Sequence, residues 1–114
     1  DYGEEMYYMD LDPQGAWREV STYGGKLTEN VVQAIARDCL AVSMLRVEAA
    51  GYPIVMHVHD EVVCEVDSET ADADLQVLCD LMGDPIAWAK DLPLRADGFV
   101  CDYYQIDCCD GCDK

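Results

Sequence analysis

The sequence predicts an α+β fold with an N-terminal hairpin, a long helix, a central antiparallel β-hairpin with an acidic tip, a second helix and a C-terminal strand. Three observations carry that expectation. Residues 26 to 50 contain neither Pro nor Gly and stop at Gly51-Tyr52-Pro53, a C-cap glycine with a proline just beyond it. Residues 54 to 66 hold two runs rich in β-branched apolar residues around His57-Val58-His59-Asp60-Glu61, as two strands reversing at a polar tip would. Residues 69 to 82 place Ala71, Leu75, Leu78, Cys79 and Met82 at helical spacing before Gly83-Asp84-Pro85, with Asp67 or Ser68 available as the N-cap.

The other elements follow from turn chemistry. Glu4 to Leu11 alternates and is rich in Tyr and Met, Asp12-Pro13-Gln14-Gly15 is a turn, and Ala16 to Tyr23 returns as the second strand of a hairpin. Along the long helix, Leu27, Val31, Ile35, Val42, Leu45 and Ala49 share one stripe at about 100° per residue and form the expected core face. Lys26, Asn30, Gln33 and Arg37 gather on another stripe, an arc of roughly 60° made wholly of hydrogen-bond donors. In the plain reading, that stripe is the solvated side of an amphipathic helix. Residues 86 to 89 read as a short helical turn, and Leu94 to Tyr104 as a last strand bent at Gly98, joining the central hairpin in one sheet on the long helix.

A chain of 114 residues, 51% hydrophobic, holds one domain with a modest core. No apolar run approaches the ~18 residues of a membrane span, and no basic-then-apolar leader opens the chain, so the expected setting is the cytoplasm. The first residue is Asp1 rather than Met, which suggests a cut from something longer. Seven cysteines, an odd number scattered through apolar patterns, read as reduced core thiols rather than as a disulfide framework. Cys109 and Cys112 have the C-x-x-C spacing of a zinc ligand pair but lack a second pair, so residues 108–114 read as a disordered tail. Seven basic against 24 acidic residues give a net charge of −17. That balance argues against a free-standing DNA-binding module, which normally carries a basic stripe to neutralise phosphates.

The carboxylates of Asp60 and Glu61, at the expected reversal, are suited to Mg²⁺, a hard cation that takes oxygen ligands and completes its shell with waters and substrate phosphates. The runs Thr22-Tyr23-Gly24-Gly25-Lys26-Leu27-Thr28-Glu29-Asn30-Val31-Val32-Gln33-Ala34-Ile35-Ala36-Arg37-Asp38, His57-Val58-His59-Asp60-Glu61-Val62-Val63 and Trp88-Ala89-Lys90-Asp91-Leu92-Pro93-Leu94-Arg95-Ala96-Asp97-Gly98-Phe99 together resemble the C-terminal palm portion of family A, bacterial polymerase I-like DNA polymerases of the phage-type branch. Order and spacing agree over roughly residues 16 to 104. The resemblance implies that residues 1–107 are part of a polymerase palm and that the function is template-directed nucleotidyl transfer by two divalent ions, Mg²⁺ or Mn²⁺. It makes Asp60 the catalytic palm carboxylate and Glu61 an accessory one, both metal ligands, and places His59 beside the primer terminus. Gln33, Arg37, Asn30 and Lys26 would contact DNA, the amides meeting minor-groove acceptors shared by A·T and T·A pairs and the cations meeting phosphates.

The implied partners are primer-template DNA, a deoxynucleoside triphosphate and the remaining polymerase regions in cis or in trans, with no membrane. The sequence departs from the family pattern by lacking a second metal-binding aspartate, which Asp1-Tyr2-Gly3 does not supply, and the helix that holds the incoming nucleotide. The expectation is therefore a polymerase part that is inactive alone and binds DNA weakly and only with metal. Two alternatives stand beside it. One is a noncatalytic subunit of a split polymerase, or a relic. The other is a small zinc hydrolase built on His57, His59 and Asp60, for which histidines at i and i+2 of a strand would share one face.

Overall fold

The computed structural model describes residues 5–105, and the chain forms two compact units, Asp1–Arg37 and Asp38–Lys114. The element order is β1 (Met6–Leu11), β2 (Trp17–Thr22), α1 (Gly24–Ala49), β3 (Ile54–Val58), β4 (Glu61–Cys64) and α2 (Ala71–Gly83). The α+β class, both hairpins and both helices are as the sequence predicts. Asp1 to Gly3 and the tail at 108–114, with Cys109 and Cys112, lie outside the described residues.

In unit 1, β1 and β2 pair antiparallel from Met6 opposite Thr22 to Leu11 opposite Trp17. Asp12 builds the turn between them. Its Oδ1 accepts from the backbone N–H groups of Gln14 at 2.9 Å and Ala16 at 2.8 Å, its own N–H bonds the Ala16 carbonyl at 2.8 Å, and its Oδ2 lies 3.5 Å from Arg18 Nε. Gly15 takes φ +82° there, a conformation that costs glycine nothing and other residues about 1–2 kcal/mol. At the start of α1, Thr28 Oγ1 donates to the Gly24 carbonyl at 2.8 Å. A Cβ on Gly25 would stand 2.8 Å from the Tyr23 ring, which is 69% exposed and would have to swing aside.

The second half of α1 belongs to unit 2 and ends as expected. Gly51 adopts φ +91°, its N–H bonds the Glu48 carbonyl at 2.9 Å, and the Tyr52 N–H bonds the Val47 carbonyl at 3.3 Å, which together make a Schellman cap. The core contains Cys39, Leu40, Ser43 and Val47 of α1 with Ala71 and Ile86, and Val47 and Ile86 are the most completely enclosed. Arg46 joins the helices: its guanidinium donates to the carbonyls of Leu81 at 3.3 Å, Asp84 at 2.8 Å and Pro85 at 2.8 Å. One rigid fork thus satisfies carbonyls that the end of α2 leaves without helical partners.

Several expectations are corrected. The covered face of α1 is not the stripe through Leu27, Val31 and Ile35. Leu45, Val31, Ile35 and Leu27 are all exposed, and the buried face lies roughly 140° round the helix at 100° per residue. The reason is the partner: Ser43 Oγ bonds the Cys39 carbonyl at 3.1 Å and reaches that of Met82 at 3.5 Å, so the small side chains at 39 and 43 face the end of α2. The N-cap of α2 is Thr70, not Asp67 or Ser68, and it makes no side-chain cap bond. Its hydroxyl instead donates to Asp74 Oδ2 at 2.7 Å, while Asp72 and Asp74 supply the acidic first turn that a helix N-terminus favours.

The C-terminal strand is not formed. Residues 94–100 carry no strand assignment, and among the described residues the sheets are two separate pairs, β1-β2 and β3-β4. This segment packs on α2 instead of adding to a ladder. Its carbonyl at Leu94 passes 3.7 Å from where a Gly83 Cβ would stand, and a Cβ on Gly98 would fall 2.7 Å from Leu75 Cδ1. Residues 86 to 89 form a tight reversal with a bridge between Ile86 and Ala89 rather than a helical turn.

Candidate functional site: the acidic hairpin tip and the donor stripe

Strands β3 and β4 create the tip. Their register runs Ile54 opposite Cys64, Met56 opposite Val63, His57 opposite Val62 and Val58 opposite Glu61, with an irregularity between Ile54 and Met56. Such a bulge inserts an unpaired residue, here Val55, and increases local twist. Ile54, Met56 and Val58 are half-buried while Val55 and His57 are exposed, so the alternation sets one face of the hairpin inward.

Only His59 and Asp60 separate the last pair, which makes a two-residue turn. The favoured turns of that length have a positive φ at their first central position, where Gly, Asn or Asp usually stands. His59 occupies that position at φ +53°, a conformation that is uncommon for a non-glycine residue, although His accepts it more readily than most. Because the strand ends at Val58, strand alternation no longer relates His59 to His57, and the shared face required by the zinc alternative has no basis. Asp60 follows in the turn and Glu61 opens β4, both exposed.

Asp60, Glu61 and His59 are thus gathered on one reversal. Among the described residues no group of three or more His, Cys, Asp or Glu side chains is arranged to hold a metal ion. The tip offers two consecutive carboxylates, enough for part of an oxygen shell and not for a complete protein cage.

The donor stripe lies on the first half of α1 in unit 1. Lys26 is half-buried. Its Nζ donates to Tyr8 Oη at 3.1 Å and lies 5.4 Å from the centre of that ring. The hydrogen bond to Tyr8 is the main cause that lifts the Lys26 pKa above its ordinary value. Gln33 Nε2 donates to Glu29 Oε1 at 3.2 Å, one helical turn away. Asn30 and Arg37 are exposed. The spacing of Glu29 and Gln33 makes their pairing legible in the sequence, whereas nothing in the sequence points from Lys26 to Tyr8. Arg46 was likewise missed, because a charged residue inside a helical run carries no mark of the carbonyls it will meet.

Burial raises the thiols of Cys64 and Cys79 above their ordinary value, with Asp97 and Asp80 adding to the effect at Cys79. Burial and the hydrogen bond to Asp74, 3.1 Å from its hydroxyl, raise Tyr52. None of these groups belongs to the tip. No described helix is long and apolar enough to cross a membrane.

Over 104 residues, 91% of this chain, the sequence is 52% identical to a DNA polymerase of Bacillus phage SP02. The matched stretch is 16% of that protein's length, so the chain spans a minor part of the relative it matches. No family model matches the chain, and no solved structure matches it.

Proposed function

We propose that this chain is the part of a phage-type, family A DNA polymerase palm that carries one catalytic carboxylate, and that it works in template-directed nucleotidyl transfer only together with the rest of such an enzyme. The observation that supports this most is the extent of the likeness to the phage polymerase, which includes both the tip and the donor stripe. The two-residue turn supports the assignment of Asp60 as the catalytic carboxylate, because it projects the acid from a short, paired hairpin instead of a long loop.

The residues fit a hard divalent ion in a limited way. Asp60 and Glu61 would hold Mg²⁺ or Mn²⁺ as carboxylate ligands, leaving the remaining positions to waters and to oxygens of the substrate and primer. When bound, such ions lower the pKa of an attacking hydroxyl and stabilise the charge of the leaving group. The chain's own residues do the positioning. His59 sets the turn and stands beside the primer end. Gln33 and Asn30 offer amide donors to the minor groove, and Arg37 and Lys26 offer cations to phosphates. Gln33 would exchange its bond to Glu29 for a base-edge acceptor, and Lys26 would keep one donor on Tyr8 while two remain for a phosphate. With a charge of −17, the chain alone should bind DNA weakly and only with metal.

Two measurements test this reading. Mn²⁺ binding, followed by electron paramagnetic resonance, should be weak in the isolated chain and lost in Asp60→Asn. A chimera in which this chain replaces the matching 104 residues of the phage SP02 protein should extend a primer and lose at least 100-fold in rate on Asp60→Asn. An inactive chimera, or one indifferent to that change, would end the catalytic reading and leave the noncatalytic subunit in its place.

A further inference from the structure

The β1–β2 hairpin has two unlike faces. Residues directly opposite in an antiparallel pair point the same way, so Met6, Tyr8 and Asp10 share a face with Thr22, Val20 and Arg18, and Tyr7, Met9 and Leu11 share the other with Ser21, Glu19 and Trp17. The first face is partly engaged within unit 1: Tyr8 accepts from Lys26 and Val20 and Thr22 are half-buried, with Met6 at its end left 50% exposed. The second is open, with Tyr7 54%, Met9 44%, Leu11 58% and Trp17 65% exposed. Four large apolar side chains in two adjacent rows form a contiguous patch, which soluble proteins seldom leave uncovered. Trp and Tyr are also the side chains that most often anchor interfaces.

The charge around the patch identifies what covers it. Glu19 lies within it, and Glu5 is bonded to the Tyr7 hydroxyl at its edge. Arg18 belongs to the other face of the hairpin, where it meets Asp12, and Lys26 meets Tyr8 on that same face. Among the described residues of this face there is no Lys or Arg, so a phosphate backbone laid on it would meet Glu5 and Glu19. In a twofold dimer of this chain the same patch would face itself, setting Glu5 and Glu19 against their own copies between two partners that each carry −17. A polypeptide with an apolar seat and basic residues at its rim meets neither objection.

We propose that the Tyr7, Met9, Leu11 and Trp17 face docks a basic-rimmed surface of the polymerase polypeptide outside the matched 104 residues, the larger part of the relative's length. This rests on the polymerase reading above and names where the rest of the enzyme seats on this chain. Tyr7 and Trp17 are the anchors, and Glu5 and Glu19 select for basic neighbours.

Hydroxyl-radical footprinting of the isolated chain and of the SP02 chimera tests it, with oxidation of Met9 and Trp17 scored against half-buried Met56 of unit 2. At least fivefold protection of both residues in the chimera, beside a monomeric isolated chain in sedimentation, is the expected result. Replacing Glu5 and Glu19 by Lys in the chimera should reduce that protection. Three results would overturn the proposal: Met9 and Trp17 as reactive in the chimera as alone, an isolated chain that dimerises with the same two residues protected, or protection of them by a single-stranded DNA oligonucleotide. Primer extension by the chimera separates the two ideas. Activity without protection removes only this interface, and protection without activity removes only the catalytic reading.

Discussion

The two units of the chain differ in how their apolar residues are used. Every fully buried residue described, from Cys39 through Ile86, belongs to unit 2, whereas unit 1 places Met6, Leu11, Trp17, Tyr23 and Val31 in solvent. Unit 1 is the less apolar of the two, with 16 hydrophobic residues of 37 against 42 of 77, but its large side chains include two methionines and a tryptophan, so composition is only part of the contrast. Unit 2 has a second helix to set against α1 and an arginine that fastens them. Unit 1 has only a two-stranded hairpin and a half-helix, and a hairpin alone is marginally stable in water. Stability should therefore reside in unit 2, with unit 1 serving as surface.

The sharpest way to break this comparison is a pair of truncations. Ile86→Ala should lower stability by about 2–5 kcal/mol, as removal of a fully enclosed aliphatic side chain does, while Leu11→Ala should change it by about 0.5 kcal/mol or less. Urea denaturation of the two variants gives the answer, and equal losses would refute the contrast. Next in size is Arg46→Met, which removes the fork from the carbonyls of Leu81, Asp84 and Pro85. A loss of about 1.5–3 kcal/mol is expected, the range for hydrogen bonds made by a charged donor. Hydrogen exchange should localise that loss to the end of α2 and leave β1 and β2 unchanged.

The tip gives a smaller effect. His59→Gly should be neutral or stabilising by up to about 1 kcal/mol, and His59→Val destabilising by more than that, because only the first relieves the positive φ. Equal urea midpoints would mean that the turn imposes no strain. The smallest effect concerns pH. Cys64 and Cys79 have thiols raised above the ordinary 9.0, so the folded state holds their protons more tightly than the unfolded one. Their contribution is complete below about pH 9 and falls as the pH rises through the folded-state values. Lys26 and Tyr52 are also shifted upward and act in the same direction. The urea midpoint should thus decline on the alkaline side, and peptide mapping of alkylation at neutral pH should find exposed Cys101 modified well before Cys64.

How much of the site was legible depends on the residue. The position of Asp60 at a reversal was, because β-branched runs on either side leave few other places for the chain to turn. The backbone of His59 was not, since nothing in the residue name requires a positive φ; the two-residue length of the turn favours it. Gln33 and Lys26 were legible as donors on one stripe. Their partners were not equally so: Glu29 is one turn away, but Tyr8 is brought to Lys26 only by the docking of the hairpin.

What the amino-acid order determined by itself is the set of elements and their ends: the Asp12 turn, the Gly51 cap, the acidic reversal and the interruption at Gly83-Asp84-Pro85. These are local matters of φ, ψ and hydrogen bonding within a few residues, and each acts wherever the chain goes. Tertiary structure alone decided which apolar stripe of α1 is covered and whether residues 94–104 form a strand. A helix with two apolar stripes can bury either, and an extended segment becomes a strand only beside a free edge. Here the small residues at 39 and 43 let the end of α2 approach one side, and Gly98 let the last segment settle on α2 at Leu75 instead of pairing with β3 or β4.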